Sequence, residues 1–181
     1  MRIISGSFRG KKITAPANLP VRPTTDFAKE ALFNVLNNHY NFDEISVLDL
    51  FSGIGSISLE FVSRGSRRVV SVDIEPGCVK FLSETVKKMN LEDKISIIRN
   101  DVFQFLKHPS QSFDLVYLDP PFNFEQQEYD QIIELVRQNN FLNSEGELVV
   151  EHPKNISFDD HPNLLQSRKY GKVHFSFFDF D

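Results

Sequence analysis

From residue 45 onward the chain alternates short, near-continuous apolar runs with stretches of helical period, and few folds accommodate that alternation. Residues 45–51, 68–73, 94–99, 113–119 and 147–151 read as strands. Between them, residues 57–64, a segment opening at Pro76 with Val79, Leu82, Val86 and Met89 on one face, 102–108 and 129–139 read as helices. Apolar strands separated by amphipathic helices form a parallel sheet covered on both faces. After residue 151 the alternation stops. Residues 164–170 and 173–180 meet at Gly171 with no room for a helix, which predicts an antiparallel hairpin at one sheet edge. The expected fold is α/β, with a mainly parallel seven-stranded sheet finished by that hairpin.

The N-terminal part is organised differently. Residues 2–13 predict a short β-hairpin with Arg9-Gly10 at its turn, and a linker follows from Pro16 to Pro23. A helix over residues 26–39 is predicted by Ala28, Ala31, Leu32, Val35 and Leu36, with Thr24, Thr25 and Asp26 as cap candidates. Residues 1–25 contain Arg2, Arg9, Lys11, Lys12 and Arg22 and no acid, a local charge of +5. Since the whole chain stands at −5, residues 26–181 carry −10. The expected organisation is a basic hairpin arm and linker, 1–25, on an acidic catalytic-type domain, 26–181. Such an asymmetry suits an anionic partner touching one end of the molecule, or a solvated tail without a partner.

Composition excludes several classes. No apolar run approaches the ~18 residues of a membrane span, and the N-terminus lacks a signal peptide's apolar region. Cys78 is the only cysteine, so no disulfide framework or cysteine metal cluster is expected, and a reducing cytoplasm fits best. His39, His108, His161 and His174 share no metal-ligand spacing, and no metal is expected. His152, at the end of the fifth strand, reads as an incidental polar residue.

The first strand–turn–helix reads Asp49-Leu50-Phe51-Ser52-Gly53-Ile54-Gly55-Ser56. Glycines at such a turn let the backbone approach a ligand where a Cβ would collide. Asp73, with Ile74 beside it, ends the second strand where a carboxylate can accept from both ribose hydroxyls. At the third strand's end, Asp101-Val102 offers an acceptor and an apolar wall for adenine. The plainer reading is a tight turn plus helix caps, but three successive strands ending in such residues favour a nucleoside site. The third glycine of a dinucleotide fingerprint is replaced by Ser58, which argues against NAD and suits a ligand without phosphates, such as S-adenosylmethionine.

The fourth strand ends Asp119-Pro120-Pro121-Phe122. Consecutive prolines stiffen the backbone and leave the Pro120 carbonyl without an amide donor on Pro121. An ionised Asp119 accepts hydrogen bonds, and Phe122 offers a flat apolar face. Two acceptors and a stacking ring can hold a planar exocyclic amine of a nucleobase. A rigid turn with an exposed carboxylate is the alternative.

Asp-Pro-Pro-Phe resembles the [Asn/Asp]-Pro-Pro-[aromatic] signature of class I amino-methyltransferases. Arg22-Pro23-Thr24-Thr25-Asp26, Glu30, Leu32-Phe33-Asn34, Asp49-Leu50-Phe51-Ser52-Gly53 and the opening Arg2-Ile3-Ile4-Ser5-Gly6 and Arg9-Gly10-Lys11-Lys12-Ile13 resemble more narrowly the RsmD family of 16S rRNA guanine-N2 methyltransferases, over essentially the whole chain. Lys29 stands where that family usually has Arg, and Ile54 and Ser58 depart from its usual glycine pattern. The resemblance implies a Rossmann-like class I methyltransferase that moves a methyl group from S-adenosylmethionine to N2 of one guanine in 16S rRNA. The expected substrate is the small ribosomal subunit or a late assembly intermediate, and the enzyme is expected to be monomeric and free of metal. It also implies cofactor contacts from Asp49, Phe51, Ser52, Gly53, Gly55, Asp73, Ile74, Asp101 and Val102. The amine would be handled by Asp119, Pro120, Pro121 and Phe122, and the RNA by Arg2, Arg9, Lys11, Lys12, Arg22, Thr24 and Thr25. Rival readings are methylation of adenine N6 or of a protein glutamine, a non-catalytic RNA-binding or assembly factor, and a dehydrogenase.

Overall fold

The computed structural model describes residues 1–21 and 24–181, so the expectations placed on Arg22 and Pro23 lie outside the described residues. Seven strands, β1 (Ser46–Leu50), β2 (Arg68–Asp73), β3 (Ile95–Arg99), β4 (Phe113–Leu118), β5 (Leu142–His152), β6 (Leu164–Tyr170) and β7 (Val173–Asp179), form one sheet in the order β3-β2-β1-β4-β5-β7-β6. The first five pair in parallel, and β7 pairs antiparallel with both β5 and β6. This is the class I methyltransferase arrangement that the alternation pattern and the resemblance led one to expect.

Among the described residues, five α-helices cover the sheet: α1 (Asp26–Leu36), α2 (Ser56–Ser63), α3 (Pro76–Lys88), α4 (Val102–Leu106) and α5 (Gln126–Gln138). Val47, Tyr117, Val149 and Phe177 face Leu32 and Phe33 of α1, Phe61 of α2 and Leu82 of α3. Leu48, Leu50, Val116 and Leu118 face the other way, against Val102 of α4 and Ile132, Ile133 and Val136 of α5. Burial on both sides is why β1 and β4 are apolar at successive positions rather than alternating. The chain grows outward from β1 to β3, then resumes on β1's other side with β4. The crevice above the carboxyl ends of β1 and β4 is therefore the topological switch point, where ligands bind in such sheets.

Element ends depart from the sequence reading for local reasons. Helix α1 stops at Leu36 rather than 39, with Asn37 as its C-cap. Helix α5 starts at Gln126, earlier than residue 129, because Glu125 and Glu128 form a reciprocal capping box. Strand β5 begins at Leu142, and its polar stretch is accommodated by a register shift opposite Phe113 and Leu115.

The N-terminal hairpin is short: antiparallel pairing surrounds the Arg2–Lys12 bridge, with Ile3 N donating to the Lys11 carbonyl at 3.0 Å and Ile13 N to the Met1 carbonyl at 2.9 Å, and the segment is sewn into the core rather than standing off it. Ile3 and Ile13 are buried. The fully buried Glu60 carboxylate accepts from the backbone amides of Ile4 and Ser5 at 2.9 and 3.0 Å. Buried Lys29 lies 3.5 Å from Glu60 and donates to the Arg2 carbonyl and to Ser56 Oγ. A Cβ at Gly6 would lie 1.7 Å from the Ser63 carbonyl oxygen, so this close approach demands glycine. Removing residues 1–12 would strip these partners from a buried carboxylate, and single side-chain replacements test their charges more cleanly.

Candidate active site

The turn after β1 is wound through left-handed backbone at Phe51, Gly53 and Gly55, with φ of 61°, 53° and 80°. Gly55 is the N-cap of α2, and a Cβ there would meet Leu82 Cδ1 of α3 at 2.3 Å. The glycine is thus required by helix packing beneath the turn as well as by its φ. Asp73 fastens the turn to β2. One carboxylate oxygen accepts from Gly53 N at 2.7 Å and the other from Glu75 N at 2.8 Å. An ionised carboxylate has about four acceptor positions, so each oxygen keeps capacity for a hydroxyl. Beside it Ile74 is 57% exposed, an apolar side chain facing solvent where a flat ring can cover it. Asp101 caps α4 through Gln104 N at 3.0 Å, and Val102 is buried behind it. Turn, paired acceptor and apolar wall fit the adenosine part of S-adenosylmethionine.

Asp49 has a different place from the one its motif suggests. It is 1% exposed, enclosed between β1 and α2 in the floor of the site. Ser58 Oγ donates to it and also bonds Ser71 Oγ at 2.7 Å. The serine that stands for the missing glycine therefore supplies the hydrogen bond a buried carboxyl needs. Burial above all, eased by Ser58 and aggravated by the Asp73 charge, pushes the Asp49 carboxyl up to about 7. A carboxyl whose folded-state pKa is raised withdraws stability as pH climbs from its unfolded value, near 4, to about 7. Asp49→Asn should therefore be more stable than the parent at pH 8, by on the order of 1 kcal/mol. It should show no gain at pH 4, where the parent carboxyl is already neutral. Chemical denaturation at the two pH values is the check.

At the crevice, register sets the neighbours. Leu118 of β4 pairs with Val150 of β5, so the next residues, Asp119 and Glu151, stand side by side on the same face, about 4.8 Å apart along the sheet. Tyr117, two residues before Asp119, pairs with Asp49 of β1 and donates its hydroxyl to Glu151 Oε2. Thr24 Oγ1 donates to that same oxygen at 3.0 Å. Three buried or half-buried acids thus share one pocket. Burial first, then repulsion from Glu151 and Asp49, holds the Asp119 carboxyl well above its usual range. Glu151 is raised too, by burial, against the bonds from Tyr117 and Thr24. Both shifts favour the protonated carboxyls of Asp119 and Glu151 more than water would.

The remaining motif residues stand at the mouth. Among the described residues the Pro120 carbonyl accepts no hydrogen bond, while the Pro121 carbonyl is taken by Phe124 N at 3.0 Å. Phe122 is 92% exposed. Phe124, which the sequence reading did not single out, packs edge-on against Phe51 at 5.4 Å and near Phe103 at 6.2 Å, tying the proline turn to the turn after β1 and to α4. Its only sequence signal is an aromatic two residues past the motif.

The residues expected to touch RNA do not form one group. Thr25 is the N-cap of α1, accepting from Ala28 N, whereas Thr24 is turned inward onto Glu151. Arg2 pairs with Asp26 at 3.0 Å. Lys11 and Lys12 are exposed, and Arg9 sits at a tip that packs near Ser63, at the end of α2 away from the crevice. His152 points to the opposite face from Glu151, buried, bonded to Ser176 Oγ at 2.8 Å and packed on Phe158. Among the described residues no cluster of three or more His, Cys, Asp or Glu side chains could hold a metal ion. Nor is any helix long and apolar enough to cross a membrane.

Comparison with known proteins bears on the family and the fold. The model of the family described as "Conserved hypothetical protein 95", the RsmD family, matches residues 1–179. The chain belongs to this family. A relative from Haemophilus influenzae named "Ribosomal RNA small subunit methyltransferase D" is 32% identical over 178 residues, 96% of this chain and 90% of its own length. The solved structure of a putative methyltransferase from Escherichia coli superposes with a TM-score of 0.85 at 26% identity, covering 98% of this chain and 96% of the other. A Thermus thermophilus 16S rRNA N2 methyltransferase, solved with AdoMet and guanosine, shares the fold, with a TM-score of 0.72 at 18% identity over 90% of this chain and 45% of its own. Membership of the family fixes the fold as class I methyltransferase and S-adenosylmethionine as its methyl donor.

Proposed function

We propose that the protein transfers a methyl group from S-adenosylmethionine to the exocyclic N2 of a guanine in 16S rRNA, acting as a cytoplasmic monomer on the small subunit or a late assembly intermediate. The observation that carries this reading is the juxtaposition of Asp119, a Pro120 carbonyl without a hydrogen-bond partner among the described residues and an exposed Phe122 at the switch point, next to the Gly53/Asp73 turn. Names borne by relatives, small-subunit rRNA methyltransferase and N2 methyltransferase with guanosine, point the same way. The division into a basic segment, 1–25, that meets RNA and a catalytic body, 26–181, is part of the proposal.

When bound, the cofactor supplies an electrophilic methyl on a sulfonium cation. The carboxyls of Asp49, Asp119 and Glu151, raised chiefly by burial, suit a cationic neighbour, because a positive charge favours their ionised forms. Asp119 and the Pro120 carbonyl each accept one N–H of the guanine amine, and Phe122 stacks on the ring. Holding both hydrogens turns the nitrogen lone pair out of conjugation and toward the methyl group, so positioning and electrostatics supply the rate. The proton shed by N2 after transfer passes to the Asp119–Glu151 pair, which holds protons more tightly than ordinary carboxylates do.

Single-turnover assays with tritiated cofactor, on small subunits from a strain lacking the gene, test this reading, with mass mapping of the product. Incorporation at a guanine N2 is expected. Stable RNA binding without transfer would leave a binding or assembly factor instead. The basic segment has its own test, in which Arg9→Ala/Lys11→Ala/Lys12→Ala should weaken rRNA binding and lower the logarithmic salt slope. Each phosphate that the variant leaves unneutralised should reduce the slope by about 0.7. An unchanged slope in anisotropy titrations would make these side chains a solvated edge.

A further inference from the structure

A second basic surface lies closer to the crevice than the tip of the N-terminal segment does. Residues 161–178 contain Arg168, Lys169 and Lys172 and no acid. Because β7 runs antiparallel to β5, with Glu151 opposite Phe175 and His152 opposite His174, the turn from Tyr170 to Val173 emerges at the carboxyl edge of the sheet. It stands on the side of β5 away from Asp119. Arg168, Lys169 and Lys172 are exposed, and no ion pair holds any of them among the described residues. The tip is free of packing, since a Cβ on Gly171 would meet nothing within 4 Å.

The aromatic content of this surface is equally unusual. Phe27, in the first turn of α1, is 66% exposed, and its ring meets Tyr170 edge-on at 6.2 Å. Thr24, three residues earlier, reaches into the crevice to Glu151. One continuous rim therefore runs from Glu151 through the start of α1 to the hairpin turn. The acidic interior would repel a polyanion, whereas this rim presents cations without ion-pair partners among the described residues, the exposed ring of Phe27 and the half-buried ring of Tyr170 beside it.

We propose that the β6–β7 turn and Phe27 form the docking surface for single-stranded or looped RNA beside the reacting guanine, with Lys169 and Lys172 on the phosphates and the Phe27/Tyr170 pair under an unstacked base. The proposal rests on the rRNA methyltransferase reading. Charge complementarity favours nucleic acid over an apolar protein partner, and exposed aromatics beside lysines are what sequence-tolerant binding of unpaired strands uses. Phosphate contacts would fix the register of the strand, leaving the choice of base to the crevice.

The test compares wild type, Lys169→Ala/Lys172→Ala, Phe27→Ala and a control, Lys87→Ala/Lys88→Ala, which removes the same charge from the exposed last turn of α3. Binding to purified 16S rRNA is read by anisotropy across a salt series, and needs no methyl transfer. The turn variant is expected to bind about tenfold or more weakly, with a salt slope reduced by about 1.4 for two phosphates left unneutralised. Phe27→Ala should bind on the order of tenfold more weakly with an unchanged slope, the effect of removing one stacking ring. The α3 control and calorimetric S-adenosylmethionine affinity should stay at wild-type values. Equal weakening in the control would mean diffuse attraction and overturn the surface, as would wild-type binding by the turn variant. Absent methyl transfer by a wild type that still binds rRNA would count against the enzymatic reading alone.

Discussion

Asp119→Ala is expected to bind S-adenosylmethionine and RNA nearly as the parent does, yet to lose methyl transfer by 10²-fold or more, the usual effect of deleting one well-placed electrostatic partner. The residue accepts from the amine most strongly as positive charge builds on nitrogen, so its loss falls on the chemical step. Asp119→Asn should be less damaged, because its amide oxygen still accepts while its NH₂ turns from the substrate amine. The pH profile separates the two roles of the side chain. With the carboxyl raised by burial and by Glu151, the ionised acceptor is scarce at low pH, and the single-turnover rate of the parent rises with pH as the pair gives up its proton. In Asp119→Asn that rise should flatten. Full activity in Asp119→Ala would remove the residue from the mechanism, and an unchanged profile in Asp119→Asn would assign the pH dependence elsewhere.

What was legible in advance follows from how far apart the interacting residues lie in sequence. β1, β2 and β4 announce themselves because each is buried on both faces, and the terminal hairpin because nothing fits between its strands. The Gly53 turn, Asp73 and Asp119 could be found for a similar reason, since each sits at a strand end that local pattern already located. Glu151 could not. Its partners Tyr117 and Thr24 are 34 and 127 residues away, and only the register of β4 on β5 turns it toward Asp119 rather than toward His152's side. Ser58 looked like a lost glycine and is instead the donor to Asp49, a bond visible only once α2 lies on β1. The N-terminal segment misled in the same way. Its charges are legible, but the buried Glu60 that binds its backbone is 55 to 56 residues on. The acid-free stretch 161–178 carried a charge signal as plain as that of residues 1–25, yet its meaning depends on β7 running antiparallel to β5.

The second large effect is expected at Asp73, where one carboxylate has two kinds of work. Toward the protein it holds Gly53 N and Glu75 N, and toward the cofactor it offers the remaining acceptor positions to the ribose hydroxyls. Hydrogen bonds to a charged group contribute about 1.5–3 kcal/mol each, so Asp73→Ala should weaken S-adenosylmethionine binding by at least 10²-fold if both hydroxyls are held. Asp73→Asn separates the two kinds of work. One amide oxygen can keep Gly53 N, while the NH₂ would face a donor amide at Glu75, so the turn loosens and one hydroxyl loses its acceptor. Its affinity should fall between those of the parent and of Asp73→Ala. Gly55→Val makes the comparison complete, because its Cβ collides with Leu82 beneath the turn. It should lower the melting temperature of the protein without cofactor, whereas Asp73→Asn should act mainly on affinity. Calorimetric titration with S-adenosylmethionine, alongside melting curves without it, distinguishes these effects. Parent-like affinity in Asp73→Ala would move the proposed adenosine site away from the end of β2.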